Sequence, residues 1–246
     1  MATGIWSAAS GAVAQGFALD VAANNVAGAS TPGFRADRAV FRQELVRAQA
    51  RGEARGLRYS MTRTTAPDFR TGQVVSTGRA LDVALLDDRS MFAVRTTDGV
   101  RYTRAGNIRL SADGSLTTGD GMPYVGPEGK PLRVSSDAKQ VAVLADGRLM
   151  VDGVESGTKL HVVTFPRIEA LEREGQGLFR APAAAGRPTA ATAKLEPGAL
   201  EMSNAPAVAS MTTLVTASRQ FEMLTRVIEA FSSIDRRAAT DVMAKR

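Results

Sequence analysis

The two ends of the chain constrain it most. From Leu214 the apolar positions run Leu214, Ala217, Phe221, Leu224, Ile228 and Phe231, and resume at Ala238 and Val242 beyond a polar interruption at Asp235. Steps of three and four residues predict a helix with one apolar seam. The opposite side carries Arg219, Glu222, Arg226, Glu229, Arg236 and Arg237. Glu222 precedes Arg226 by four residues, the favourable order for a helical ion pair. Burying Phe221, Ile228 or Phe231 contributes about 1.5–3 kcal/mol each, so the seam requires a partner. Near the start, Ile5, Ala9, Ala12, Gly16, Leu19, Ala23 and Val26 follow the same alternation, and their small side chains admit a second helix closely. Residues 3–27 form a weak helix alone, because Gly11 and Gly16 each cost about 1 kcal/mol relative to Ala. Spacing leaves two arrangements open: two ordinary core helices, or terminal helices that pair with each other or with those of neighbouring copies.

Between the ends the pattern changes. Ser30-Thr31-Pro32-Gly33 is turn chemistry that stops the first helix near Gly28. Residues 35–79 read as an extended connector in which Ala39–Val46 make a short helix or strand. From Arg35 to Arg70 there are nine Arg against four acidic residues. Five Asp-Gly pairs, at Asp98, Asp113, Asp120, Asp146 and Asp152, punctuate short apolar runs and predict antiparallel hairpins. Strands are expected at 81–86, 91–95, 100–104, 108–111, 141–144, 148–151 and 159–165. The Ala/Pro-rich 181–193 reads as a loop, and Ser203 or Asn204 as the cap of the last helix. The expected fold class is α+β: paired N- and C-terminal helices forming a stem, with a central antiparallel β-rich domain. Its parts are residues 1–34, 35–79, 80–197 and 198–246.

Chemistry is thin. With no Cys and one His, the 246-residue chain has no thiolate site and no cysteine nucleophile, and His161 alone makes no metal centre or triad. There is no phosphate-cradling Gly-x-x-x-x-Gly-Lys-Ser/Thr run. Asp87-Asp88 reads as a solvated pair; a carbohydrate-active enzyme built on it is the weaker reading. No run of about 20 apolar residues predicts a membrane span, and Met1–Trp6 lacks the charged, apolar pattern of a signal peptide. No cofactor, catalytic residue or metal ligand is expected. The net charge of +6, concentrated in residues 35–70, leaves a basic nucleic-acid-binding segment as the rival reading.

Specific stretches carry a resemblance. Leu19 through Arg38, with Asn24-Asn25, Thr31-Pro32-Gly33-Phe34 and Arg35-Ala-Asp37-Arg38, resembles the N-terminal motif of the flagellar basal-body rod, hook and hook-associated family, and its proximal-rod members most. Gly28 stands where that family usually has a third Asn. Ser76–Ala84, Arg101-Tyr102-Thr103-Arg104-Ala-Gly106-Asn107, Glu169–Phe179 and Glu196–Asn204 resemble it too. Asp87–Phe92 departs from its Gly-Asp-Gly-Phe-Phe turn. The resemblance implies a non-enzymatic rod subunit that assembles helically with itself and other rod proteins and spans the periplasm within the basal body. It implies export through the flagellum's own apparatus without a cleaved signal peptide, and no nucleic-acid partner or stable membrane insertion. The assembly interface it implies is Ile5, Leu19, Asn24, Asn25, Val26, Leu214, Phe221, Leu224, Ile228 and Phe231, with Pro32, Gly33 and Phe34 turning the chain after the first helix.

Overall fold

The computed structural model describes residues 2–46, 58–175, 177–192 and 194–244. They fall into two compact units. The first unit gathers Met1–Val26, Asp37–Ala66 and Ala207–Arg246. It contains the helix α1 (Ala2–Gly28), the strands β1 (Asp37–Val46) and β2 (Arg58–Pro67), and the helix α2 (Ala207–Ala244). The α+β class and both terminal helices follow the sequence. The expected connector holds two ten-residue strands, β1 and β2, that pair with each other in a two-stranded sheet.

Small residues decide how α1 meets α2. A Cβ added at Gly11 would lie 3.3 Å from Leu224 Cδ1, and one added at Gly16 would lie 3.6 Å from Phe221 Cε2. A side chain at Gly11 would press on Leu224, whereas one at Gly16 would meet Phe221 at ordinary van der Waals distance, so only the first glycine gains a packing reason. Ala8, Ala12, Val21 and Ala22 are buried, Ile5, Ala9, Gly16, Leu19 and Val26 half-buried, and Ala23 exposed. Ala12 is buried as its spacing suggests, whereas Ala8 and Ala22 take the buried places expected of Ala9 and Ala23. On α2, Ala217 is buried and Leu214, Leu224, Ile228 and Phe231 are half-buried; the side chains of Ala238 and Val242 lie outside the described residues. Thr212, Thr213, Thr216 and Thr225 donate their hydroxyls to carbonyls four residues back, which satisfies them on the helix itself. Phe17 of α1 meets Phe41 of β1 edge to face at 6.0 Å.

The second unit gathers Ala27–Ala36 and Pro67–Pro206. Its strands are β3 (Val74–Ser76), β4 (Val83–Leu85), β5 (Ser90–Thr96), β6 (Gly99–Thr103), β7 (Arg109–Leu110), β8 (Leu116–Thr117), β9 (Val141–Val143), β10 (Arg148–Val151), β11 (Val154–Lys159), β12 (Val162–Thr164), β13 (Glu172–Arg173), β14 (Leu178–Arg180), β15 (Thr189–Ala190), β16 (Leu195–Pro197) and β17 (Ala199–Glu201). A six-stranded sheet runs β13-β14-β6-β5-β12-β15, beside a three-stranded β11-β10-β9 sheet. Its central strand β5 is buried on both faces. Phe92 and Val94 enter one core with Val83, Leu85, Ile108 and Leu149, and Met91 and Ala93 enter another with Tyr102, Phe165 and Phe179. That two-sided burial is why Met91–Val94 reads as an unbroken apolar run. The Asp-Gly signal is clearest at β10–β11, where Val151 pairs with Val154 and Asp152 and Gly153 take φ of 49° and 82°. Two left-handed central residues are what a two-residue type I′ hairpin requires. β11 itself is polar, Val-Glu-Ser-Gly-Thr-Lys, and carries no strand signal; this hairpin places it. Pairing of β17 with β3 and of β16 with β4 returns residues 195–201 to the start of the unit.

These returns test what the second unit needs in order to fold. A fragment of residues 67–206 is expected to unfold cooperatively. A fragment of residues 80–195 loses β3, β17 and Glu201, and is expected to melt at a clearly lower temperature. Equal melting temperatures by circular dichroism would contradict this.

Candidate assembly site and the buried charge joint

The chain after α1 turns sharply, and each turn residue has a reason. Gly33 has φ of 70°, and a Cβ there would lie 2.4 Å from Ala105 N, so the position accepts only glycine. Phe34 is fully buried. A Cβ at Gly28 would come within 2.3 Å of the Phe34 ring. The ring occupies the space a side chain at position 28 would take. Arg173 covers the same ring with its guanidinium 4.6 Å from the centroid, and lies 5.2 Å from that of Phe179. Pro32 is half-buried.

The neighbouring Arg35 enters a fully buried charge cluster. Its Nη1 lies 2.6 Å from Glu201 Oε1. Arg104 Nη2 lies 2.7 Å from Glu201 Oε2, and Arg104 Nε donates to the same oxygen at 2.9 Å. All three side chains are 0% exposed. The backbone N–H of Gly72 donates to Glu201 Oε1 at 2.8 Å, and that of Gly33 donates to the Glu201 carbonyl at 2.7 Å. Arg104 also donates to the carbonyls of Ser90 and Asp87, both at 2.5 Å, and to that of Leu85. Burial pulls the Arg104 pKa below its ordinary value; the Glu201 carboxylate opposes this and the Arg35 charge adds to it. One carboxylate thus gathers the segment leaving α1, the end of β6 and the segment approaching α2. Asn204 adds a neutral tie: its amide accepts from Ala36 N at 2.6 Å and donates to the carbonyls of Asp68 and Arg70. Of the two residues expected to cap α2, Asn204 is spent here, and Ser203 Oγ accepts from Ala205 N just ahead of the helix, which starts at Ala207.

Asn24 and Asn25 both serve Asp37 within the first unit. Asn25 accepts from the Asp37 N–H and donates to its carbonyl, both at 2.8 Å, while Asn24 donates to the carboxylate at 3.0 Å. Of the residues named for assembly, Ile5, Leu19, Val26, Leu214, Leu224, Ile228 and Phe231 are half-buried and Phe221 is 38% exposed. A second set went unnoticed in the sequence. Val208, Met211 and Val215 on α2 are 79%, 52% and 50% exposed, and Met223, Val227, Ile234, Trp6 and Val13 are exposed as well. Val208, Met211 and Val215 are spaced three and four apart, a signal that following a single seam passes over. Arg35, Arg104 and Glu201 were missed for a different reason: periodicity of apolar residues does not reveal a buried charge. His161 is half-buried, and burial pulls its pKa down.

Removing the shared carboxylate leaves two buried guanidinium groups without their counter-charge. Glu201→Gln is expected to cost about 3–5 kcal/mol in urea unfolding. A loss under about 1 kcal/mol would contradict the role given to this joint.

Residues 5–35 match the family described as flagella basal body rod protein, residues 86–151 the flagellar hook protein FlgE/F/G D1 domain, and residues 196–241 the flagellar basal body rod FlgEFG protein C-terminal family. The flagellar basal-body rod protein FlgG of Bacillus subtilis is 31% identical over 238 residues, covering 88% of this chain and 90% of that protein. The rod protein FlgF of Salmonella typhimurium is 34% identical over 232 residues, covering 89% of each. FlgF of Escherichia coli is 34% identical over 229 residues, covering 87% of each. These two FlgF relatives share more positions with the chain than the FlgG relative does, in keeping with the proximal-rod character of its N-terminal motif. Matched at both ends and through the β-rich middle, the chain belongs to the flagellar basal-body rod protein family.

Proposed function

We infer that the chain is a structural, non-enzymatic subunit of the bacterial flagellar basal-body rod and assembles with its neighbours through its terminal helices. The observation that carries the assembly reading is unspent apolar surface. Val208, Met211 and Val215 form one exposed stripe on α2; Met223, Val227 and Ile234 add apolar surface further along it, and Trp6 and Val13, seven apart, are exposed on α1. Apolar area of this extent on a helix calls for a partner. Gly11 against Leu224 and Gly16 against Phe221 support α1 and α2 as a paired stem. On this reading Ile5, Leu19, Val26, Leu214, Phe221, Leu224, Ile228 and Phe231 close the pair, and the exposed residues meet other subunits. Different patches meeting head to tail build an open helical array rather than a closed ring.

Partners are then further copies and other rod proteins, and the place of work is the rod as it spans the periplasm. Delivery through the flagellar export apparatus, without a cleaved signal peptide, accords with a weak first helix that gains its partner after passage. No helix among the described residues is long and apolar enough to cross a membrane. Neither the relatives nor the fold favours nucleic-acid binding by residues 35–70, of which 47–57 lie outside the described residues.

Met211→Asp/Val215→Asp separates assembly from folding. Both side chains are exposed in the single chain, so unfolding is expected to shift by no more than about 0.5 kcal/mol per substitution. In a strain lacking the wild-type protein, secretion is expected to continue while complete rods and motility are lost. Normal basal bodies containing the variant would contradict the proposal. Phe221→Asp, which also removes the contact with Gly16, is expected to impair assembly and the helix pair together.

A further inference from the structure

Two surface features of the second unit lie outside the helices, one of them a loop braced from beneath by Arg104 of the joint. One is an open groove of about 570 Å³ whose apolar lining includes Leu81, Leu110, Val141 and Met150, together with Arg79 and Lys139. Arg79 is 57% exposed and only loosely paired, with its Nε 3.7 Å from Asp82. Lys139 is exposed. The carboxylate beside it, Asp152, turns one oxygen to the backbone N–H groups of Lys139 and Gln140 at 3.0 and 2.8 Å. The groove thus offers an apolar slot with two available cations.

The other feature is the loop that departs from the related family's turn. Leu86 is 49% exposed, and Asp88 next to it is exposed too. The loop between them is held rigidly. Asp87 Oδ1 accepts from Arg89 N at 2.9 Å and from Ser90 N at 2.6 Å, and the Asp87 carbonyl accepts from the buried Arg104 at 2.5 Å. A fixed loop therefore presents one leucine beside one free-facing carboxylate. Groove and loop share no lining residue: Leu81 precedes β4 and Leu86 follows it.

We propose that the Leu86–Asp88 loop of one copy seats in the Arg79–Lys139 groove of the next. The leucine meets the apolar lining, and Asp88 meets the two cations. Because the contact joins two different patches of the same unit, it repeats head to tail and does not close as a two-fold dimer. It rests on the rod-subunit reading and adds to it a contact between β-rich units, independent of the terminal helices.

The chain has no cysteine, so Leu86→Cys with Leu110→Cys introduces the only possible disulfide pair. The full-length variant is expressed in a strain lacking the protein, and its basal bodies are purified under mild oxidation. Disulfide-linked multimers are expected from the double variant and from neither single variant. In parallel, Arg79→Glu/Lys139→Glu is expected to lower the amount of this chain in basal bodies at least tenfold, and adding Asp88→Arg to restore it. Monomeric chains in intact rods of the cysteine variant, or charge reversal that leaves rods normal or is not rescued, would overturn the contact. Wild-type chain recovered in basal bodies prepared in parallel from the same strain complemented with the unaltered protein confines such a failure to this contact; its absence there would overturn the rod reading as well.

Discussion

The segments that open and close the second unit meet the end of β6 at one carboxylate. Glu201 holds Arg35 and Arg104 out of water at 2.6 and 2.7 Å, and its backbone carbonyl takes the N–H of Gly33. A buried ion pair is not a cheap source of stability, since desolvating the charges offsets most of their attraction. What it provides is specification. Three segments distant in sequence, residues 33–35, 101–104 and 199–204, satisfy these charges in one arrangement, and any slip leaves a guanidinium unpaired in the interior. The segments that lead out of α1 and into α2 are thereby fixed to the β-rich unit from which they emerge.

The helices follow the opposite logic. They are stabilised by apolar contact without strong polar specification, and the contact is incomplete. Gly11 gives up helix propensity where Leu224 comes close, and Gly16 lies against Phe221. Phe221 remains 38% exposed and Met211 and Val215 about half-exposed. Such surface is a poor end state for a solitary chain, since apolar area left in water gains from any partner that covers it.

The sequence disclosed these parts unevenly. Both helices were legible because apolar steps of three and four extend over many turns, as at Leu214–Phe231. The hairpins were legible because Asp-Gly reports a backbone conformation directly, as Asp152-Gly153 does. β11 was not, because its residues are polar and its strand exists through pairing with β10. β16 and β17 are three-residue strands positioned by β4 and β3, so no local pattern announces them. Asn24 and Asn25 stood out as motif residues, but their bonds to Asp37 depend on how the chain turns through Pro32 and Gly33. Glu201, Arg104 and Arg35 each lie in a recognisable motif, yet their meeting is a tertiary event with no periodic signature. Gly28 shows the same limit: its lack of a side chain gains meaning only once the Phe34 ring is seen to fill the space.

The most direct test is a map of an assembled basal body at side-chain resolution. The account predicts that α1 and α2 of each copy lie together, with Val208, Met211 and Val215 covered by helices of neighbouring subunits and the Arg35–Glu201–Arg104 cluster intact in every copy. Helices of one chain found apart, or this stripe facing solvent in the finished rod, would contradict it.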